Sequence, residues 1–320
     1  MNQPADPRAK LPSSISAEAT AILQPIAAML AAMPSREPPE TLEDFDAAAA
    51  RGEAFAAAAT AAPLAKLAPR TDELVVNGTP VLLVRPSDVD EDASPLVYIH
   101  GGGFVSGSAK ANLLTAAVAA TTTGRTVYSV DYTLAPHADW RRILDQAVSA
   151  WLGILDRHDT APGLFGDSAG GCIAAATTLL LRDRGITLPS ALVLLSPVVD
   201  MSDTGDTRET LQAVDYLDRR TLAPARRAYA DQADWRNPLV SPIHADFNTG
   251  FPPTLIQVGT REVLLSDAVR LHRRIAAAGG RSRLEVYEGM PHVFQPLLHE
   301  APEGREAWAE MAAFWREHLR

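Results

Sequence analysis

The sequence predicts an α/β fold, in which a mainly parallel sheet is covered by helices on both faces. Short apolar segments alternate with longer helical patterns after residue 70, and this alternation is typical of parallel sheets. Several of the apolar segments are followed directly by glycine-rich or polar residues. Such residues lie at the C-terminal ends of parallel strands, where open α/β sheets bind their ligands.

Eight segments are predicted to form strands. The first two flank Asn77-Gly78, a pair that favours a two-residue hairpin turn. The other six are short and rich in Val, Ile and Leu, which is typical of strands buried on both faces. The eight strands span residues 73–77, 80–85, 96–99, 126–130, 163–165, 191–195, 254–258 and 284–287.

Helical patterns separate most of these strands, at residues 112–122, 137–157, 169–184, 266–278 and 305–319. Two further segments lie outside the alternation, because residues 1–70 precede the sheet and residues 201–236 interrupt the strand order with polar and charged helical sequence. In the first segment an apolar stripe recurs at helical spacing and predicts a helix laid over the core. Its members are Ile22, Ile26, Met29, Leu30 and Met33.

The most informative motif is Gly-Asp-Ser-Ala-Gly at residues 166–170, where a strand pattern ends and an Ala- and Leu-rich helical pattern begins. A G-x-S-x-G sequence at such a turn holds its serine in a strained backbone, with the hydroxyl exposed above the sheet. The glycines leave room for the neighbouring strand and helix. An ordinary glycine-rich turn would share this pattern, but the rest of the chain supplies partners for Ser168. Ser168 is therefore the candidate nucleophile.

A second glycine-rich segment, His-Gly-Gly-Gly at residues 100–103, directly follows the third predicted strand. Acyl transfer passes through a tetrahedral intermediate whose negative oxygen needs fixed hydrogen-bond donors. The N–H groups of Gly102, Gly103 and Ala169 are predicted to form this oxyanion hole. A phosphate cradle is disfavoured, because no lysine follows at P-loop spacing. We expect His100 to anchor the loop by hydrogen bonding rather than to transfer protons.

The candidate base and acid come later in the chain, in the order that accompanies a G-x-S-x-G nucleophile. His292 follows the last predicted strand on a loop, and it can take the Ser168 proton. Glu262 is the first carboxylate after the strand at residues 254–258, so it can accept the Nδ1–H of His292. Asp267, the second carboxylate, stays open as the alternative acid, although its position also suits the N-terminus of a helix.

In combination, these motifs resemble the bacterial hormone-sensitive-lipase-like branch of the α/β-hydrolases. The resemblance runs from about residue 70 to the C-terminus. It depends on residues 100–103, 131–132 with 134–136, 166–170, 195–197 and 291–294. The usual acid of that family is an aspartate at the position of Glu262, so this chain departs from the family there. The resemblance implies an eight-stranded α/β-hydrolase fold and a serine carboxylesterase for short- to medium-chain esters, with no cofactor or metal.

The resemblance also implies a helical cap over the active site. Residues 1–70 and 201–236 would form this cap, and residues 71–200 and 237–320 would form the catalytic core. We expect the substrate pocket to be lined by Met33, Phe104, Tyr216, Leu217 and Phe294.

Two other kinds of function share the same motifs. A lactonase, or an amidase or deacetylase, would use the same three residues, and pocket shape would decide between them. A hormone receptor on this scaffold would have lost the histidine, whereas this chain has His292. The chain is therefore expected to be an enzyme.

The composition is that of an ordinary enzyme of 320 residues. The net charge of -10 disfavours nucleic acid and anionic membranes as partners. One cysteine, Cys172, excludes an internal disulfide framework, and zinc-binding sequence patterns are absent. Glu18 and Pro25 interrupt the pattern of a signal peptide, and no apolar run is long enough to span a bilayer. We expect a cytoplasmic protein. The last predicted strand should lie at a sheet edge, where the resemblance is compatible with a homodimer, and the oligomeric state stays open at this point.

Overall fold

The computed structural model describes residues 6–32, 37–89, 93–217 and 219–319. Eight strands form one sheet in these parts of the chain, and each predicted strand is confirmed to within a few residues. The strands are β1 (Arg70–Val76), β2 (Thr79–Arg85), β3 (Leu96–Ile99), β4 (Val127–Val130), β5 (Gly163–Asp167), β6 (Leu192–Leu195), β7 (Thr254–Gly259) and β8 (Ser282–Tyr287).

Ten α-helices accompany the sheet in the same parts of the chain, and the five predicted within the core are all present. They are α1 (Ala17–Ala32), α2 (Leu42–Leu67), α3 (Leu113–Thr123), α4 (Trp140–Leu155), α5 (Ala169–Asp183), α6 (Thr207–Thr210), α7 (Arg219–Tyr229), α8 (Leu265–Ala277), α9 (Phe294–Leu297) and α10 (Pro302–His318).

The strand order in the sheet is β1-β2-β4-β3-β5-β6-β7-β8. The first two strands form the predicted hairpin, and both Asn77 and Gly78 have positive φ at its turn. The second strand pairs antiparallel with β4, and all remaining neighbours pair in parallel. The C-terminal ends of β5, β6, β7 and β8 therefore meet along one edge of the sheet.

Two separate hydrophobic layers cover the faces of the sheet. Successive residues of β3 contribute to opposite layers, as the alternation of side chains along a strand requires. Val97 packs with residues of α4, α5 and α8, including the buried Trp151. Leu96 and Tyr98 pack with residues of α3 and α10, including the buried Trp315. Because both faces are buried, β3 to β7 are apolar along most of their length.

The helical segment before the sheet packs differently from the prediction. The buried face of α1 consists of Ala19, Leu23 and Ala27, whereas Met29 of the predicted stripe is 38% exposed. Met33, the last residue of that stripe, lies outside the described residues. Ala19 and Leu23 of this face belong to a third hydrophobic cluster, which includes Met290 and residues of α9. In the part of the chain that the structure describes, no helix combines the length and apolar character that crossing a membrane requires.

Candidate active site

Ser168 lies at a tight turn between β5 and α5. Its backbone has φ 52° and ψ -118°, a region that non-glycine residues rarely occupy. The glycines on either side of it have no room for a side chain. A Cβ on Gly166 would come within 2.4 Å of the carbonyl oxygen of Gly170, and one on Gly170 within 2.0 Å of that of Ile99. The turn therefore holds the Ser168 hydroxyl at the C-terminal edge of the sheet.

The structure brings His292 to Ser168 across 124 positions of sequence. The Ser168 hydroxyl lies 2.9 Å from Nε2 of His292, which can accept its hydrogen bond. His292 belongs to the loop after β8, and the next residue, Val293, has φ 49°. A β-branched residue in this region is strained, and its N–H donates to the hydroxyl of Ser196 at 3.2 Å.

Glu262 lies on the other side of the imidazole. Nδ1 of His292 donates to Oε2 of Glu262 at 2.9 Å. The second oxygen, Oε1, accepts from the hydroxyl of Ser196 at 2.8 Å and from the N–H of Gly259 at 2.6 Å. Glu262 is fully buried, so each of its oxygens is held in place by the protein. Ser168, His292 and Glu262 thus form one line of hydrogen bonds.

The charges around His292 favour its protonated form. Burial lowers the pKa of His292, but the hydrogen bond and charge of Glu262, together with the charges of other nearby carboxylates, outweigh burial, so the pKa is raised. The carboxylates of Asp215 and Asp167 raise the same pKa further. Burial raises the pKa of Glu262, while the hydrogen bond and charge of His292 oppose that rise. The site is therefore built to stabilise an imidazolium, the form that His292 takes after accepting a proton.

Asp267, the alternative acid, has other partners in the structure. Its Oδ2 accepts from Nη2 of Arg208 at 2.8 Å and from the N–H of Val199 at 2.9 Å. Arg208 belongs to α6 and Asp267 to α8, and both are buried. Asp267 therefore ties the 201–236 segment to the core, and the geometry favours Glu262 as the acid.

The glycine loop after β3 lies against the end of β5. The N–H of Gly101 donates to Oδ1 of Asp167 at 3.0 Å, which fixes the loop beside Ser168. Gly102 has φ 113°, and a Cβ there would come within 2.0 Å of the carbonyl oxygen of Ser106. Among the hydrogen bonds of the described residues, none uses the N–H of Gly102 or Gly103. These groups remain available to an oxyanion.

His100 anchors this loop, as the sequence predicts. Its Nδ1 donates to the carbonyl oxygen of Gly101 at 2.8 Å. Its ring stacks on that of Tyr132, with the ring centroids 4.3 Å apart. His100 is fully buried, and burial lowers its pKa. The ring is therefore a neutral packing element under the loop.

A cavity of about 690 Å³ opens beside Ser168 and His292. Two of the residues predicted to line the substrate pocket, Phe104 and Leu217, line this cavity. Tyr216 and Phe294 are not among its described lining residues, because both pack in the third cluster. Their role as pocket residues stays a prediction, and Met33 lies outside the described residues.

The rest of the lining comes from the sheet edge and from both segments outside the core. Residues from α2 and from α7 contribute apolar side chains, together with the loops that follow β3, β6 and β7. The apolar members from these regions include Phe45, Ala48, Val198, Met201, Leu222, Ala225, Val263 and Leu264. The wall therefore suits an apolar acyl or alcohol group next to the nucleophile.

Sequence reasoning missed two polar residues that support the site. Ser196 has φ 47°, and its hydroxyl joins Glu262 to the N–H of Val293, so it links the acid to the histidine loop. Asp167 positions the glycine loop and accepts a hydrogen bond from the Tyr98 hydroxyl. Both residues lie within motifs that carry the family resemblance, and that position is the signal that could have identified them.

Comparison with known proteins agrees with the fold and the site. A family model of the alpha/beta hydrolase fold matches residues 96–296. The chain is 34% identical to an acetyl-hydrolase of Streptomyces hygroscopicus, over 78% of this chain and 83% of the relative. It is 30% identical to an esterase of Acinetobacter venetianus, over 78% of this chain and 85% of the relative.

A solved structure of an esterase is also similar to this chain along most of its length. The crystal structure of an esterase from the bacterial hormone-sensitive lipase family superposes with a TM-score of 0.85 at 33% identity. The superposition covers 95% of this chain and 98% of that one. The chain is therefore a carboxylic ester hydrolase that belongs to the α/β-hydrolase fold family, in its hormone-sensitive-lipase-like branch.

Proposed function

We propose that the protein hydrolyses short- to medium-chain carboxylic esters through an acyl-enzyme on Ser168. His292 is the general base in this proposal, and Glu262 is the acid that orients it. The line of hydrogen bonds from Ser168 through His292 to Glu262 is the observation that carries the proposal. The strained turn at Ser168 supports it as well, because it presents the hydroxyl to the cavity.

In the first half of the reaction, the Ser168 oxygen attacks the ester carbonyl carbon while Nε2 of His292 takes the hydroxyl proton. The carbonyl oxygen becomes an oxyanion and accepts hydrogen bonds from the N–H groups of Gly102, Gly103 and Ala169. The C–O bond to the alcohol then breaks, and the imidazolium gives its proton to the leaving oxygen. The acyl group remains on Ser168.

In the second half, water replaces the alcohol. His292 takes a proton from the water, whose oxygen attacks the acyl carbon and forms a second oxyanion in the same hole. The bond to Ser168 breaks, the Ser168 oxygen recovers its proton from His292, and a carboxylic acid leaves. In both halves the negative charge of Glu262 stabilises the imidazolium, and its hydrogen bond keeps the proton of the neutral ring on Nδ1.

Two observations support short and medium acyl groups. The cavity of about 690 Å³ is large enough for an acyl chain of several carbons together with a small alcohol. The relative from Streptomyces hygroscopicus is named an acetyl-hydrolase, which favours small acyl groups. We therefore propose that turnover is highest for acetyl to hexanoyl esters and falls for longer chains.

The test is hydrolysis of p-nitrophenyl esters from acetate to dodecanoate by wild type and by Ser168→Ala. We expect Ser168→Ala to lower kcat/KM by about 10,000-fold or more, with an unchanged circular dichroism spectrum. Ser190→Ala is the matched control, because Ser190 lies before β6, at the end of the sheet away from the cavity, and its hydroxyl donates only to a main-chain carbonyl. Near-full activity of Ser168→Ala would contradict the mechanism, and a maximum at dodecanoate would contradict the proposed acyl range.

A further inference from the structure

We propose that Asp215 is a positioning residue for the esterase reaction: its buried carboxylate fixes the loop that carries Glu262. Asp215 belongs to the 201–236 segment, far in sequence from the three proposed catalytic residues. The inference rests on the function proposed above, in which His292 is protonated twice in each turnover.

The Asp215 carboxylate is buried against the main chain next to Glu262. The side chain is 1% exposed, and its Oδ2 accepts from the N–H of Val263 at 2.5 Å. Val263 directly follows Glu262, so this bond fixes the main chain beside the acid. The other oxygen of Asp215 accepts from the N–H of Leu217 at 2.9 Å. A buried carboxylate held by two main-chain donors is a rigid support.

The 201–236 segment binds both the N–H and the carbonyl group of Val263. The carbonyl oxygen of Val263 accepts from the hydroxyl of Thr207 at 2.8 Å. Both main-chain polar groups of the residue after Glu262 are therefore bound by the 201–236 segment. Leu217 and Val263 also line the cavity, so these contacts lie between the pocket wall and the acid. Docking of the 201–236 segment on the core thus sets the position of Glu262.

The charge of Asp215 also acts on His292. Three carboxylates act on the imidazole of His292 from three elements: Glu262 from the loop after β7, Asp215 from the 201–236 segment, and Asp167 from the end of β5. Burial raises the pKa of Asp215, and the charge of His292 and the main-chain hydrogen bonds oppose that rise. The charges of Asp215 and His292 therefore attract each other, and loss of the Asp215 charge destabilises the imidazolium.

Loss of the Asp215 charge should shift the pH dependence of kcat/KM in one direction. Only the neutral imidazole can accept the Ser168 proton, so kcat/KM falls as the pH drops through the pKa of His292. Replacing Asp215 by asparagine removes a negative charge and lowers that pKa. The acid limb of the pH profile therefore shifts to lower pH, by about half a unit. A residue that served only to pack the segment would leave the limb where it is.

The experiment compares wild type, Asp215→Asn and Asp215→Glu in hydrolysis of p-nitrophenyl acetate from pH 5 to 9. Asp231→Asn is the matched control, because Asp231 is an exposed carboxylate of the same segment whose side chain makes no capping bond. We expect Asp215→Asn to lower kcat about 10-fold and to shift the acid limb downward. Asp215→Glu keeps the charge but displaces Val263, so kcat falls while the limb stays at the wild-type pH.

An Asp215→Asn variant with the kcat and pH profile of wild type overturns the inference. If circular dichroism shows that Asp215→Asn does not fold, Asp215→Glu decides, and a wild-type kcat in that variant overturns the positioning role. A wild-type enzyme without activity on esters would overturn the proposed function instead, so the two failures are distinguishable.

Discussion

At the scale of single residues, the site depends on a few side chains and main-chain groups held in strained positions. Ser168, Ser196 and Val293 all have positive φ. Ser168 bonds His292, Ser196 bonds Glu262, and the N–H of Val293 donates to Ser196. Strain of this kind persists only where the surrounding contacts fix the conformation. Glu262 has a longer side chain than the aspartate that the resemblance implies at this position. Its orientation toward the imidazole is nevertheless fixed, because Ser196 and Gly259 donate hydrogen bonds to its second oxygen.

The charge of Glu262 predicts a specific pH dependence. Since Glu262 raises the pKa of His292, we expect the acid limb of wild-type kcat/KM to lie above the ordinary histidine value of about 6.5. Replacing Glu262 by glutamine removes the charge, so kcat should fall by about 100-fold or more and the limb should move to lower pH. Initial rates from pH 5 to 9 measure both effects. A limb that moves to higher pH in Glu262→Gln would contradict the assignment.

At the scale of elements, the inner strands β3 to β7 were predictable because they are short and largely apolar, and the β1–β2 hairpin because Asn77-Gly78 selects its turn. The buried face of α1 could not be predicted from the sequence. Close packing against Met290 and α9 selects Ala19, a small residue that a search for large apolar residues ignores. Contacts such as Ser196 with Glu262 were also beyond prediction, since they join residues 66 positions apart on different strand ends.

The pairing of α6 with α8 predicts a difference between the two acids. Asp267 forms a buried ion pair with Arg208, so Asp267→Asn should reduce the free energy of unfolding by about 3 kcal/mol. Its kcat should fall far less than that of Glu262→Gln, because Asp267 does not contact His292. Urea denaturation measures the first effect and initial rates the second. Asp183→Asn is the control, since Asp183 is a surface partner of Arg182 and its loss should change stability by about 1 kcal/mol or less.

A larger loss of kcat in Asp267→Asn than in Glu262→Gln would reverse the assignment of the acid. Equal stability of Asp267→Asn and wild type would show that the buried pair does not hold the 201–236 segment to the core.

At the scale of the whole molecule, the two segments outside the alternating core both reach the site. Phe45 of α2 and Ala225 of α7 both line the cavity, although they lie far apart in the sequence. The domain boundaries at residues 70, 200 and 236 stay a prediction, although β1 begins at Arg70 and β6 ends just before the second segment. Both segments therefore shape the pocket wall without supplying the residues that the proposed mechanism uses.

The exposed edge of the sheet predicts the oligomeric state. The last strand in the sheet order is β8, and Val286 on it is 46% exposed. We expect a homodimer formed along this edge, because an unpaired strand can extend a sheet into a second copy. Size-exclusion chromatography with light scattering should give twice the 34.2 kDa of one chain, and Val286→Arg should shift the mass toward the monomer. A monomer at micromolar concentration in wild type would contradict this prediction.

Labelling with a fluorophosphonate tests the central claim most directly, because only a serine activated by a neighbouring base reacts at neutral pH. Intact-mass spectrometry and peptide mapping should find one adduct per chain, located on Ser168. The adduct should be absent in Ser168→Ala and should form much more slowly in His292→Ala. An adduct on another serine, or equal labelling rates in wild type and His292→Ala, would contradict the account.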